Sequence, residues 1–319
     1  MELQWPLILF TTFVAWSAGL FGAQGAAALA GEGRRAQMPA LIGSAALLAV
    51  GGIAVLFHLE HFERIFNGFG NPTSGITQEL VCVVVVGALM VVAFVMLRRG
   101  ATATAGAGAG GPATAPKAGG SASTAAADQD APAMPKWLAA LAIAAAALLV
   151  LVTGHSYMMA ARPAWDSLLG PLTLLGAACA AGPLTFAAIE ATLDGSVGRA
   201  VSLAAIVGSA ANLVLSAVYL AVMEMSTASY TDVGYYYDPT HPTAGMVDVA
   251  ALSPFAGDSV AMVAVAVVAA AVPVAGALVG RKTGNWKVWG AVGAACAVVG
   301  AAALRMAFYS VGASVYLFY

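Results

Sequence analysis

Eight apolar blocks of about 20 residues each, separated by short polar stretches, run through this chain of 319 residues. A block of that length matches the thickness of a bilayer's hydrocarbon core. Inside lipid every backbone N–H and C=O must be satisfied within the protein, which leaves helices or a closed barrel. The third block is rich in β-branched residues, which would favour a strand in water, but a lone strand in lipid leaves its backbone unpaired, so it too is expected to be helical. The expected helices are Trp5–Ala30, Pro39–Phe57, Gly75–Leu97, Lys136–Ala160, Ser167–Leu193, Gly198–Met223, Phe255–Val279 and Trp286–Tyr309. Composition supports this: 61% of residues are hydrophobic and 9% charged, where soluble domains carry roughly 25% charge. The fold class expected is an all-α integral membrane bundle of eight transmembrane helices.

The first block is expected to be a retained helix rather than a signal peptide. It has no positive n-region, carries Glu2, and is followed by Arg34 and Arg35. Lys and Arg counted in alternate loops set the orientation. Arg34, Arg35, Arg98, Arg99, Lys117, Lys136, Arg199, Arg281, Lys282 and Lys287 fall on one side, and only Arg64, Arg162 and Arg305 on the other. The rich side is expected to be cytoplasmic, which puts both termini outside a multi-pass protein of the cell membrane. The same scatter of basic residues argues against a nucleic-acid face. Cys82, Cys179 and Cys296 stand far apart with no CxxC pair, which points to packing rather than to a cluster or disulfide framework.

The chain divides into helices one to three over residues 1–99, an Ala/Gly-rich segment over 100–135, and helices four to eight over 136–319, all one membrane domain. The segment has almost no large apolar side chain and reads as a flexible cytoplasmic linker. The outer stretch Met225 to Pro254 carries Tyr235-Tyr236-Tyr237-Asp238-Pro239 and no Lys or Arg, consistent with an interfacial belt or a docking surface.

Ionisable residues at membrane depth mark candidate sites. His58 falls at the outer end of helix two and Glu79 about one turn into helix three, so the antiparallel pair should bring them to one depth. His155 and Tyr157 at the end of helix four return to that outer layer, as do Arg305 and Tyr309 of helix eight; Arg64 lies nearby in the loop. A quinol must lose two protons and two electrons to be oxidised, and His and carboxylate side chains are the usual acceptors at its hydroxyls. An apolar crevice between helices would hold its ring and tail. His58 and Glu79 fit that need, with Arg64, His155, Tyr157 and Arg305 as further candidates for the pocket. The alternative is that both snorkel at the interface. A second role for His58 and His155 would be a haem b ligand pair, the one plausible pair on different helices. Glu190 and Glu224 read either as members of a proton path or as solvated helix ends.

These residues resemble the membrane anchor subunit of bacterial dimethyl sulfoxide reductase and its molybdoenzyme relatives. The resemblance is carried by Glu2-Leu3-Gln4-Trp5-Pro6-Leu7-Ile8-Leu9-Phe10-Thr11, by His58-Leu59 with Arg64-Ile65-Phe66-Asn67 and Glu79, and by Tyr157 with Arg162-Pro163-Ala164-Trp165. Gly170-Pro171-Leu172, Gly182-Pro183-Leu184 and Arg305 with Phe308-Tyr309 complete it. The chain departs from the family at Glu60-His61, where small residues are expected, and in its longer linker. The resemblance implies eight helices with both termini outside, no haem, and no metal site in this chain. It implies a role as anchor for an iron–sulfur electron-transfer subunit and a molybdopterin catalytic subunit, and as the menaquinol-oxidising subunit in anaerobic respiration. The anchor itself would not reduce the terminal acceptor. His58 and Glu79 fall on the family's quinol-site positions. The competing readings are a haem-containing quinol-oxidising subunit, a multipass transporter, which would place binding residues near the midplane around Asn212, and a structural anchor whose site has decayed.

Overall fold

The computed structural model describes residues 3–59, 61, 67, 69–108, 131–232 and 249–314. Eight of its helices are long and apolar enough to cross a membrane. They are α1 (Trp5–Ala30), α2 (Gln37–Leu56), α3 (Gly75–Gly108), α4 (Lys136–His155), α5 (Leu169–Asp194), α6 (Arg199–Met225), α7 (Ser259–Thr283) and α8 (Trp286–Ser310). Short helical turns at Ser226–Ala228, Ser229–Asp232 and Val249–Leu252 lie between α6 and α7. The described residues contain no strand. Pro6 opens α1, where its missing N–H costs nothing. Gly31, Gly195 and Gly284 close α1, α5 and α7 with φ of 75°, 72° and 75°, the left-handed cap that glycine adopts without strain.

The helices lie within a few residues of the expected blocks, with one physical exception. α3 continues to Gly108, so residues 100–108 of the expected linker are helical. Alanine is the strongest helix former, and a helix already nucleated in the bilayer propagates through an Ala/Thr stretch despite an occasional glycine. The rest of that segment, residues 109–130, lies outside the described residues.

Packing divides the bundle after α4, not at the linker. α1 packs against α2 and α4, and α3 packs against α4 and only lightly against α2, which closes a ring of four helices. α5 to α8 close a second ring: α5 against α6 and α8, and α7 between α6 and α8. The rings meet along α1 and α5, the two most enclosed helices. Lipid supplies no hydrophobic drive between helices, so close van der Waals packing must hold them. A Cβ at Gly19 would run into the Ala178 carbonyl, one at Gly182 into the Gly19 backbone, and one at Gly208 into the Cys179 carbonyl. The α1–α5 and α5–α6 seams therefore bring backbone against backbone. Polar side chains tie the helices further: Trp16 Nε1 donates to Thr185 Oγ1 at 2.8 Å, and Gln24 and Gln37 each donate to the other's carbonyl at 3.0 and 3.3 Å.

At the end where α1 finishes, Glu32 accepts hydrogen bonds from the N–H groups of Ala200 at 2.9 Å and Val201 at 3.3 Å. Glu190 accepts one from Gly198 at 3.1 Å. The two carboxylates thus serve the exposed donors at the start of α6, where the helix dipole favours negative charge. Glu190 is a buried capping group here and not a solvated helix end. Arg35 pairs with Asp194 at 3.2 Å on the same rim. The start of α1 and the end of α8 lie at the opposite end, where Arg162 donates to the Gly312 carbonyl at 2.7 Å and Tyr230 to that of Ala313 at 2.7 Å.

Candidate functional site

At the end where α1 starts and α8 finishes, the first turns of α1, the end of α2, the start of α3, the end of α4 and the α4–α5 connection surround a cavity of about 680 Å³. Its wall is mostly apolar, with Leu7, Phe10, Val55, Ile76, Leu80 and Val83 among the lining residues. A few polar groups converge on it: Gln4, His58, His61, Glu79, Ser156, Tyr157, Arg162 and Tyr309. An apolar cleft with a small polar set is the usual form of a small-molecule site.

Glu79 is the innermost of its charged groups. It sits one turn into α3 with 8% of its surface exposed, and the Ser156 hydroxyl donates to its carboxylate. Gly75 makes this meeting possible, because a Cβ there would lie 2.7 Å from the Ser156 Cβ. The missing side chain lets the start of α3 touch the end of α4 and aligns Glu79 with Ser156.

The far wall is aromatic. Trp165 stacks on Phe308 with ring centroids 4.5 Å apart and its Nε1 donates to the Phe308 carbonyl at 2.8 Å. Tyr157 meets Trp165, Phe308 and Tyr309 edge-on at 6.5, 6.1 and 6.3 Å. Arg162 lies over the Trp165 ring at 4.3 Å, and Tyr219 donates to the Ala164 carbonyl at 3.1 Å. These contacts pin the α4–α5 connection to α6 and α8 and fix Tyr157 against the cavity. Burial pushes the Tyr157 phenol well above its ordinary value, and the neighbouring Tyr309 and Glu79 push it the same way. It is therefore a neutral hydrogen-bond donor at physiological pH.

His58 follows α2 in a turn held by its N–H to the Val55 carbonyl at 3.0 Å; it is exposed and lines the cavity mouth beside Leu59 and His61. The structure thus brings His58, Glu79 and Tyr157 to one cavity. It does not bring His155 there: that residue ends α4, is exposed, and is not part of the lining. Arg305 does not line the cavity either. It is buried behind the wall, 5.6 Å from the Tyr157 ring centroid and 4.8 Å from that of Phe308, and its charge acts on Glu79 and Tyr157 across the cluster. Among the described residues its Nη2 has no hydrogen-bond partner, and Arg305 lines a small void of about 10 Å³ with Thr173, Asn212, Ser216 and Tyr219, room for a single water. Arg64, Glu60, His241 and the Tyr235–Pro239 run lie outside the described residues.

Sequence reasoning gave Ser156 no role and named Trp165 only among the residues that carry the resemblance. A serine carries no signal until its partner is known, and the stacking on Phe308 is a tertiary fact. Glu224, read as a solvated helix end or part of a proton path, accepts a hydrogen bond from Ser253 at 2.5 Å. Among the described residues no group of three or more His, Cys, Asp or Glu is placed to hold a metal ion. No protein-family model matches the chain, and no curated protein matches it either.

Proposed function

We propose that the chain is the membrane anchor and menaquinol-oxidising subunit of a dimethyl sulfoxide reductase-like molybdoenzyme complex in the cell membrane. The observation that carries this reading is the buried Glu79, held by Ser156 inside an apolar cavity of about 680 Å³ whose mouth carries His58. One quinol hydroxyl donates to the Glu79 carboxylate and the other faces His58. Oxidation breaks the two O–H bonds, leaves two carbonyls, and releases two protons and two electrons. Each proton goes to one of these acceptors, and the exposed His58 hands its own to water. The two electrons would leave to an iron–sulfur cluster held by the partner subunit, which would supply the one-electron carrier on the way to the molybdopterin subunit.

The distribution of Lys and Arg supports an outward-facing cavity with both termini outside, so that the iron–sulfur subunit docks over His58. Proton release and electron delivery then occur on one side, and this step alone moves no charge across the bilayer. Tyr157, neutral and aimed at the cavity, supplies a donor to the product carbonyl.

The test is menaquinol oxidation by the complex, and analogue binding by the full chain, for wild type beside Glu79→Gln and His58→Ala. Glu79→Gln keeps the size of the side chain and removes the proton acceptor, so turnover should fall by about 10²–10⁴-fold. An unchanged rate in both variants would sink the assignment. An absorption spectrum of the same sample decides the rival reading, since a Soret band would replace it with a cytochrome.

A further inference from the structure

Glycine disfavours a helix relative to alanine, so a glycine inside a membrane helix calls for a reason. In most positions here the reason is close packing, as at Gly19, Gly182 and Gly208, where a Cβ would collide with a neighbouring backbone. Among the glycines described within the eight spans, only Gly52 of α2 and Gly87 of α3 differ: a Cβ at either would meet nothing within 4 Å. Both line one apolar groove of about 750 Å³ between α2 and α3, together with Ala45, Ala49 and Val83. This is the pair of adjacent helices that touch only lightly.

The groove is continuous with the site described above, because Gly52 and Val83 line both. It runs from Gly52 to Leu41 of α2, roughly 16 Å at the helical rise, and away from the polar end of the cavity. Apart from its glycines, its lining residues are all apolar. A ligand that spans both spaces must have a polar, ring-sized head and a long, flexible, apolar tail. We propose that the groove between α2 and α3 holds the isoprenoid tail of the quinol whose headgroup occupies the cavity beside Glu79. The two glycines keep the channel open where a side chain as large as leucine would fill it. The proposal rests on the quinol reading and adds the place of the tail: the quinol is held along the α2–α3 groove as well as by its ring.

The test uses the full chain in lipid nanodiscs, with menadione as a tailless probe and a menaquinone bearing an isoprenoid tail as the other. Binding is read from quenching of tryptophan fluorescence, and variant-to-wild-type ratios cancel partitioning into lipid. The variants are Gly87→Leu, which fills the groove without touching the headgroup cavity, Ala45→Leu, which fills it independently, and Gly87→Ala as a conservative control. The proposal expects both leucine variants to weaken the tailed probe by about tenfold or more and to leave menadione within about twofold, with Gly87→Ala near wild type. Unchanged affinity for the tailed probe in both leucine variants overturns it and assigns the groove to lipid acyl chains. Equal loss of both probes in both variants also overturns it. A wild type that binds menadione keeps the quinol reading even if the groove proposal fails, whereas one that binds neither probe removes both.

Discussion

Tyr157 offers a pH-dependent handle on the candidate site. Its phenol is pushed well above its ordinary value of 10 by burial first, then by Tyr309 and Glu79. A folded state that holds this proton more tightly than the unfolded chain is at full strength below pH 10 and loses stability as the pH rises past it. Tyr157→Phe removes the titration while keeping the edge-on ring contacts. Thermal unfolding between about pH 8 and pH 11 should show a smaller loss of midpoint for the variant than for wild type. Equal losses would mean that the proton is not held more tightly in the fold. At this scale the sequence picked out the ionisable residues that line the cavity and little else. His58, Glu79 and Tyr157 stand out in so apolar a chain, and the antiparallel helix pair led to the expectation that His58 and Glu79 lie close together. Arg305 was expected in the same layer but lies behind the wall, because its guanidinium packs on the Phe308 ring instead of reaching the cavity. No spacing rule separates those two outcomes. His155 and Glu79 stand at comparable helix ends, yet only Glu79 turns inward, since Gly75 lets α3 close on Ser156.

Among elements, the seam between α1 and α5 is the contact least tolerant of added volume. Gly19→Leu or Gly182→Leu forces a side chain into an opposing backbone, a cost of about 3 kcal/mol or more because neither helix can yield by a rotamer change. Gly87→Ala, placed in open space, should instead raise helix stability by about 0.5–1 kcal/mol. Unfolding in mixed detergent micelles would rank the three. A seam variant as stable as wild type would contradict the backbone contact. Helix number, order and most boundaries were legible because lipid admits so few backbone solutions. The length of α3 was not: the sequence reading ended the helix at Leu97, whereas alanine propensity carries it on to Gly108. Nor was the loose fit of α2 on α3 legible, since both are apolar on every side and their patterns do not say which face meets which neighbour.

For the whole molecule, the excess of Lys and Arg at one end predicts which side each loop faces. Asp166→Cys, at the end where α1 starts, should react with a membrane-impermeant thiol reagent on intact cells. Thr283→Cys, at the other end, should react only after permeabilisation; the reverse pattern would invert the topology. The division into two rings of four helices escaped the sequence, which marks its one conspicuous break between α3 and α4. Helix four follows that break yet belongs to the first ring, packed on α1 and α3. Covalent continuity across 109–130 is therefore not what keeps α4 in place. Residues 1–108 and 131–319, produced as separate polypeptides in one cell, should find each other in the bilayer and co-purify as a complementing pair. The break is a place where this chain tolerates a nick, a fused reporter or relocated termini, because the second fragment carries with it the clasp that fastens it to the first.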